Sequence, residues 1–161
     1  MVAAPGVIIR PATAADAPGM SRVLRDIVAW NGRARETGPE HVLATYVRHP
    51  SGLLCSVACE ADGAVLGFQS MLSAAADNAY GTPEGWGIIG THIAPGAHGR
   101  GIGRALFAAS LDAAQQASLT RIEALIAADN NGAQAFYESL GFRTRVADAD
   151  YLRKVFVVAP R

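Results

Sequence analysis

Cysteine is scarce in this chain. Only Cys55 and Cys59 occur among its 161 residues. Both lie in the apolar run Leu53–Cys59, where strand spacing puts them on one face and too far apart for easy bridging. With no second Cys/His cluster nearby, neither zinc nor any other metal is expected. The two read as reduced, buried thiols acting as small apolar side chains, which fits a cytoplasmic location. An excess of one charge is also missing. The 14 Lys and Arg balance 14 Asp and Glu, which argues against a strongly basic nucleic-acid binder. No apolar run approaches the ~20 residues needed to span a bilayer, so no membrane association is expected. Residues 1–10 lack a basic segment followed by a long apolar one, so no secretory signal is expected there. Half of the residues are hydrophobic. That argues against disorder and suits one domain over residues 1–161 with a substantial core.

What is present alternates between strand and helix patterns. Val7–Arg10 reads as a first strand. Thr13 can cap a helix, with Asp16 completing a capping box. Met20, Val23, Leu24, Ile27 and Val28 share one face of that helix, which runs to about Trp30. Residues 31–39 are a polar loop, His41–His49 a second helix, and Pro50-Ser51-Gly52 its breaker. Leu53–Cys59 and Ala64–Leu72 form a hairpin around Asp62-Gly63. A loop over 74–85 precedes an apolar strand, 86–94. A helix from about Arg100 to Ser118 follows, then a strand over Arg121–Ala127. A further helix opens at Asn130 with Ala133, Phe136 and Leu140 as its apolar stripe, and Gly141 ends it. Phe142–Val146 and Leu152–Val158 are the last strands. No repeat, linker or low-complexity block interrupts this mixed α/β pattern.

The chain is organised around Ile93-Ala94-Pro95-Gly96-Ala97-His98-Gly99-Arg100-Gly101-Ile102-Gly103-Arg104. The pattern is strand, glycine turn, helix. Backbone N–H groups of such a turn, with the positive end of the helix behind, suit a phosphate. Glycine is expected here because a Cβ would block the ligand and disfavour the backbone angles. A Walker loop is excluded, since Ile102 and Gly103 stand where Lys and Ser/Thr are required. A dinucleotide fingerprint starting at Gly99 fails at Arg104. The segment does resemble the acetyl-CoA pyrophosphate loop of the GNAT N-acetyltransferase superfamily, Q/R-x-x-G-x-G/A, with His98 departing from the first position. A second stretch, Asn130-Asn131-Gly132-Ala133-Gln134-Ala135-Phe136-Tyr137-Glu138-Ser139-Leu140-Gly141-Phe142, resembles that family's signature N-x-x-A-x-x-F-Y-x-x-x-G-F at every fixed position. The opening Arg10-Pro11-Ala12-Thr13 and the run Ala124–Asn130 look like the phosphinothricin and L-amino-acid acetyltransferases.

The resemblance implies a strongly twisted mixed sheet of about seven strands with helices on both faces. Its central parallel strands, 86–94 and 121–128, are expected to splay. It implies acetyl-CoA as co-substrate, held by Ile93, Ala94, Pro95, His98, Gly99, Arg100, Gly101, Ile102, Gly103, Arg104, Asn130 and Tyr137. It implies direct attack by the primary amine of a small molecule, an amino acid or analogue, within a ternary complex. A homodimer is expected. The Ile93 N–H is the candidate oxyanion donor. Tyr137 is the candidate general acid, and transfer from a phenol near pKa 10 to a thiolate whose thiol lies near 8.5 is expected to be favourable. Asn130 is a cofactor contact, a helix N-cap, or both. Where related enzymes carry a glutamate base, this chain has Ile88. His92 on the same strand face, or Glu84 through water, is the candidate replacement; solvent is the third route. Arg33, Arg35 and Glu36 lie where the family shapes its acceptor site, and an arginine there can fork onto a carboxylate. A non-catalytic acyl-CoA sensor and a protein N-terminal acetyltransferase are the alternatives.

Overall fold

The computed structural model describes residues 5–161. Positions 1–4 of the stretch read for a leader lie outside the described residues. Seven strands, β1 (Val7–Pro11), β2 (Gly52–Glu60), β3 (Val65–Ser73), β4 (Gly87–Ile93), β5 (Arg121–Ala127), β6 (Arg143–Ala147) and β7 (Tyr151–Val157), form one sheet. Their order is β1-β2-β3-β4-β5-β7-β6. Every neighbouring pair is antiparallel except β4 and β5. The helices are α1 (Ala17–Asn31), α2 (Pro39–Val42), α3 (Ile102–Gln116) and α4 (Asn131–Leu140). The mixed α/β architecture and its one parallel pair are those expected. Among the described residues no helix is long and apolar enough to cross a membrane.

Local chemistry sets the element ends. The Thr13 N–H donates to the Asp16 carboxylate at 2.8 Å, one half of the expected capping box. Arg10 grips the same carboxylate through two 2.8 Å bonds and holds its pKa below the usual carboxylate range. The chain makes a short 3-10 turn there before α1 begins at Ala17. Gly32 (φ 71°) ends α1 and Gly141 (φ 112°) ends α4, both in the left-handed region glycine favours. The second helix differs from the expected His41–His49. Pro39 starts it early as an N1 residue, and Leu43–Val47 continues as a wider π-type turn. That turn delivers Tyr46 into the core.

Parity along the strands sorts the core into two faces. Met20, Val23 and Leu24 of α1 pack with Val57, Val65 and Phe68 on one face. Phe107 and Ala114 of α3 and Tyr137 of α4 pack with Met71, Ile89, Ile122 and Ile126 on the other. In α4 the expected stripe is displaced. Ala133, Phe136 and Leu140 are half-buried, whereas Tyr137, which lies outside that stripe, is buried. The Tyr137 ring packs 5.1 Å from both Phe136 and Phe142, centroid to centroid.

The loop over 74–86 is pinned to the outer half of the sheet by Glu123, whose side chain is 1% exposed. Its carboxylate accepts from Thr82 Oγ1 (2.9 Å), Arg153 (2.7 Å) and Arg145 (3.0 and 2.7 Å). Arg145 also lies over the Trp86 ring, its guanidinium carbon 5.2 Å from the centroid. Removing one partner of a fully buried ion pair costs about 3–5 kcal/mol. Here both arginines keep contact with water, so Glu123→Gln is expected to cost about 2–3 kcal/mol, measured as the shift in urea midpoint at unchanged m-value.

Candidate functional site

β4 and β5 part company early. They pair only at Gly87 with Ile122 and Ile88 with Glu123. β4 stays paired with β3 through to Gly67 with Ile93. The Ala94 N–H donates to Leu66 at 2.8 Å, so even-numbered residues of β4 aim their backbone groups at β3. Odd-numbered residues aim theirs at the widening gap. The Ile93 N–H therefore faces the gap without a strand to pair with. This exposed backbone edge leaves N–H and C=O groups without a strand partner, as an extended guest would need them.

The glycine turn closes the far end of that edge. Gly99 (φ 84°) and Gly101 (φ 75°) are left-handed, as expected, and Gly101 is the N-cap of α3. Gly103 differs. A Cβ there would come within 2.6 Å of the Phe136 ring, so its constraint is packing against α4, not approach of a ligand. The free N–H groups of the first α3 turn remain to bind an anion. His98 is exposed and meets Trp30 edge-on at 5.5 Å. Arg100 pairs with Glu60 at 2.8 Å, and Arg104 donates to the Ser139 carbonyl at 3.2 Å. Both expected phosphate-reaching arginines are thus engaged with protein. A groove of about 690 Å³, lined in part by Trp30, Leu66, Pro95 and Arg100, runs beside the turn. Asn130 caps α4, its side chain accepting from the Ala133 N–H at 3.1 Å.

Tyr137 and His92 stand on opposite faces of β4. Thr91 is opposite Gln69 and His92 is opposite Phe68 in the β3–β4 register. Thr91 thus faces α3 and α4, and its Oγ1 lies 2.9 Å from the Tyr137 hydroxyl. Burial pushes the Tyr137 phenol up to about 12. The expected favourable transfer fails even for an ordinary phenol, whose pKa near 10 already lies above the roughly 8.5 of a thiol, and burial widens that difference. A group that ionises near 12 gives up its proton to a thiolate, thiol pKa about 8.5, only against a gradient of several kcal/mol. His92 faces α1 and α2, between Phe68 (4.8 Å) and Tyr46 (5.4 Å), centroid to centroid. Burial, and then the electrostatic influence of neighbouring Arg35 and His41, lower its pKa to about 3. It does not titrate near neutrality, contrary to expectation.

The loop after α1 reaches over this site. Arg35 donates to the Tyr46 hydroxyl, and His41 meets the Tyr46 ring edge-on at 6.0 Å. Arg33 crosses to Asp129, at the mouth of the gap, with a 2.8 Å ion pair. Glu36 is exposed and joins the cluster only through its carbonyl, which accepts from Arg35 at 3.4 Å. Glu84 is exposed and precedes β4, whereas Thr91 and the glycine turn lie at its other end. Strand rise alone separates Gly87 from Thr91 by about 13 Å, so Glu84 is not brought to the others. Sequence reasoning missed Thr91, Gln69, Tyr46, His41 and Asp129. Gln69 was the readable signal, a polar residue inside an apolar strand.

The Acetyltransferase (GNAT) family model matches residues 21–142. A protein of Beutenbergia cavernae named mycothiol acetyltransferase is 36% identical over 134 residues, covering 77% of this chain and 42% of its own length. The chain thus spans less than half the length of the curated relatives it matches. A GCN5-related N-acetyltransferase from Kribbella flavida has the same fold, with TM-score 0.77 at 24% identity over 94% of this chain and 98% of that one. A Salmonella typhimurium protein solved with its cofactor acetyl-CoA has TM-score 0.74 at 20% identity over 97% and 96%. A structure named for phosphinothricin N-acetyltransferase is one neighbour among these, so the fold does not single out that branch. At Gly101 an aspartate would meet both the left-handed backbone angle and the repulsion of a bound phosphate. Calorimetry on folded Gly101→Asp should show acetyl-CoA binding weakened about tenfold or more.

Proposed function

This chain belongs to the GNAT acetyltransferase family, and from that premise we propose that it is an acyltransferase that uses acetyl-CoA to acetylate the primary amine of a small, carboxylate-bearing molecule. The observation that carries this reading is the cluster on the α1/α2 face of β4. Arg35, Tyr46, His41 and His92 converge there around Phe68. Arg35 gives the cluster a fixed positive charge. A carboxylate is the group such a charge selects, and the guanidinium can bind it with two parallel hydrogen bonds.

The two faces divide the work. Acetyl-CoA lies along the open edge of β4 with its pyrophosphate on residues 98–104 and Asn130 nearby. The amine approaches from the His92 face. Its nitrogen bonds to the acetyl carbon, the carbon–sulfur bond breaks, and the ammonium proton leaves to His92 or water. The Ile93 N–H meets the charge growing on the acetyl oxygen. Tyr137, a phenol held neutral, donates a hydrogen bond to the departing sulfur, which takes its proton from solvent. A hydrogen bond to a charged partner is worth about 1.5–3 kcal/mol, or roughly 10–100-fold in rate.

A panel of amines scored by free CoA release tests the acceptor. Free amino acids and analogues are expected to turn over. Peptide N-termini and mycothiol-related compounds, the latter suggested by the relatives' name, complete the panel. With the best acid substrate, Arg35→Gln should raise KM about tenfold and leave kcat near wild type. A preference for uncharged acceptors would refute the carboxylate.

The pH profile tests the base. Because the folded pKa of His92 lies near 3, below the unfolded value of about 6.5, the ring is neutral through the working range. The acidic limb of kcat/KM should then follow the acceptor amine, moving when the amine is changed. His92→Gln should lower the rate without moving that limb. A limb near pH 6.5 that vanishes in His92→Gln would show that the ring titrates near neutrality.

A further inference from the structure

A row of four polar side chains crosses the α3/α4 face of the sheet and ends on Tyr137. Ser110 Oγ on α3 donates to Gln69 Oε1 on β3 at 2.6 Å. Gln69 Nε2 donates to Thr91 Oγ1 on β4 at 2.9 Å. Thr91 Oγ1 and the Tyr137 hydroxyl are 2.9 Å apart. Ser110 and Gln69 have no exposed surface at all. A buried amide is costly unless both its ends are bonded, and here both are. Leucine at position 69 would pack this face without that demand. The glutamine therefore serves something besides packing.

The direction of the row follows from what each group can do. The amide oxygen only accepts, so Ser110 must donate to it. With its oxygen on Ser110, the amide presents its NH2 to Thr91, whose oxygen accepts. The Thr91 proton is then available, and Tyr137 Oη is an acceptor within reach. We propose that Gln69 and Thr91, anchored by Ser110, are positioning residues for Tyr137. Thr91 donates to Tyr137 Oη, which turns the phenolic O–H away from Thr91 and into the gap between β4 and β5. The same donation strengthens Tyr137 as a donor, because it stabilises charge drawn onto the phenolic oxygen. It opposes the effect of burial on the phenol. No bond is made or broken within the row. The row fixes where the Tyr137 proton points as the carbon–sulfur bond breaks. This rests on Tyr137 being the hydrogen-bond partner of the departing sulfur.

A double-mutant cycle separates the row from that premise. Thr91→Val keeps shape and removes the hydroxyl; Tyr137→Phe removes its partner. In the wild-type background Thr91→Val should lower kcat about tenfold, with acetyl-CoA Kd and acceptor KM within about twofold. Thr91→Ser should restore the rate. In the Tyr137→Phe background Thr91→Val should cause no further loss, since its only route to the reaction is gone. Equal losses in both backgrounds, or wild-type kcat in Thr91→Val, overturn the proposal. Full activity in Tyr137→Phe alone removes the premise, a result distinct from the other two. Ser110→Ala, which leaves β4 untouched, reads the same cycle if Thr91→Val fails to fold. It should cost about threefold in wild type and nothing in Tyr137→Phe; no loss in wild type overturns the proposal.

Discussion

The structure depends on where backbone pairing stops. β5 is paired with β7 along its whole length, and β7 with β6. β4 is likewise paired with β3 from Gly87 to Ile93. Each half of the sheet satisfies its own peptide groups on the far side of the gap, so neither strand needs the other beyond Ile88. What remains unpaired is the gap-facing edge of each strand, β4 after Ile88 and β5 after Glu123, whose N–H and C=O groups must find water or a guest. The gap therefore persists as two complete half-sheets joined at a short parallel seam. Arg33 and Asp129 tie its mouth, but both are well exposed. Such a pair contributes about 0–1 kcal/mol, which leaves the loop after α1 free to open.

The second consequence is chemical separation. A gap between strands can be reached from both faces of a sheet, and β4 places different chemistry on each. His92 is enclosed by two aromatic rings near a guanidinium, and that surrounding favours the neutral imidazole. Tyr137 is enclosed by Phe136 and Phe142, and burial favours the neutral phenol. Desolvation thus moves an acid up and a base down until both are uncharged across the physiological range.

Much of this was legible in the chain. The strand and helix periods, the Asp62-Gly63 turn and the two glycine-bearing motifs set the order of elements. The Asn130 cap was readable because asparagine before a proline-free apolar run has few other uses. The parity of Ile88 and His92 was readable because strand alternation is rigid. The failures have physical causes. The α4 stripe was read from helix period alone and omitted Tyr137, whose ring packs on Phe142 and whose hydroxyl meets Thr91, both outside the helix. The pKa of His92 depends on Tyr46 and Phe68, which lie at 46 and 68 and meet only through the fold. Glu84 looked near because it precedes the strand, yet the strand's length carries the site away from it. Arg100 and Arg104 were read as cofactor contacts, and Glu60 and the Ser139 carbonyl engage them.

The two motifs look independent in the chain, about thirty residues apart, and the fold makes them one object. Gly99 and Gly101 share the left-handed conformation, and that backbone need explains them. Gly103 sits inside α3, where glycine weakens a helix by about 1 kcal/mol relative to alanine. Its justification lies in the second motif, since the Phe136 ring occupies the space a Cβ would take. That contact brings the middle of α4 against the start of α3. The next residue on α4, Tyr137, is thereby carried to Thr91 at the open edge of β4. A missing side chain in the first turn of α3 thus sets the position of a hydroxyl on α4. The glycine and the Phe-Tyr pair specify a single distance, and neither motif places the Tyr137 hydroxyl without the other.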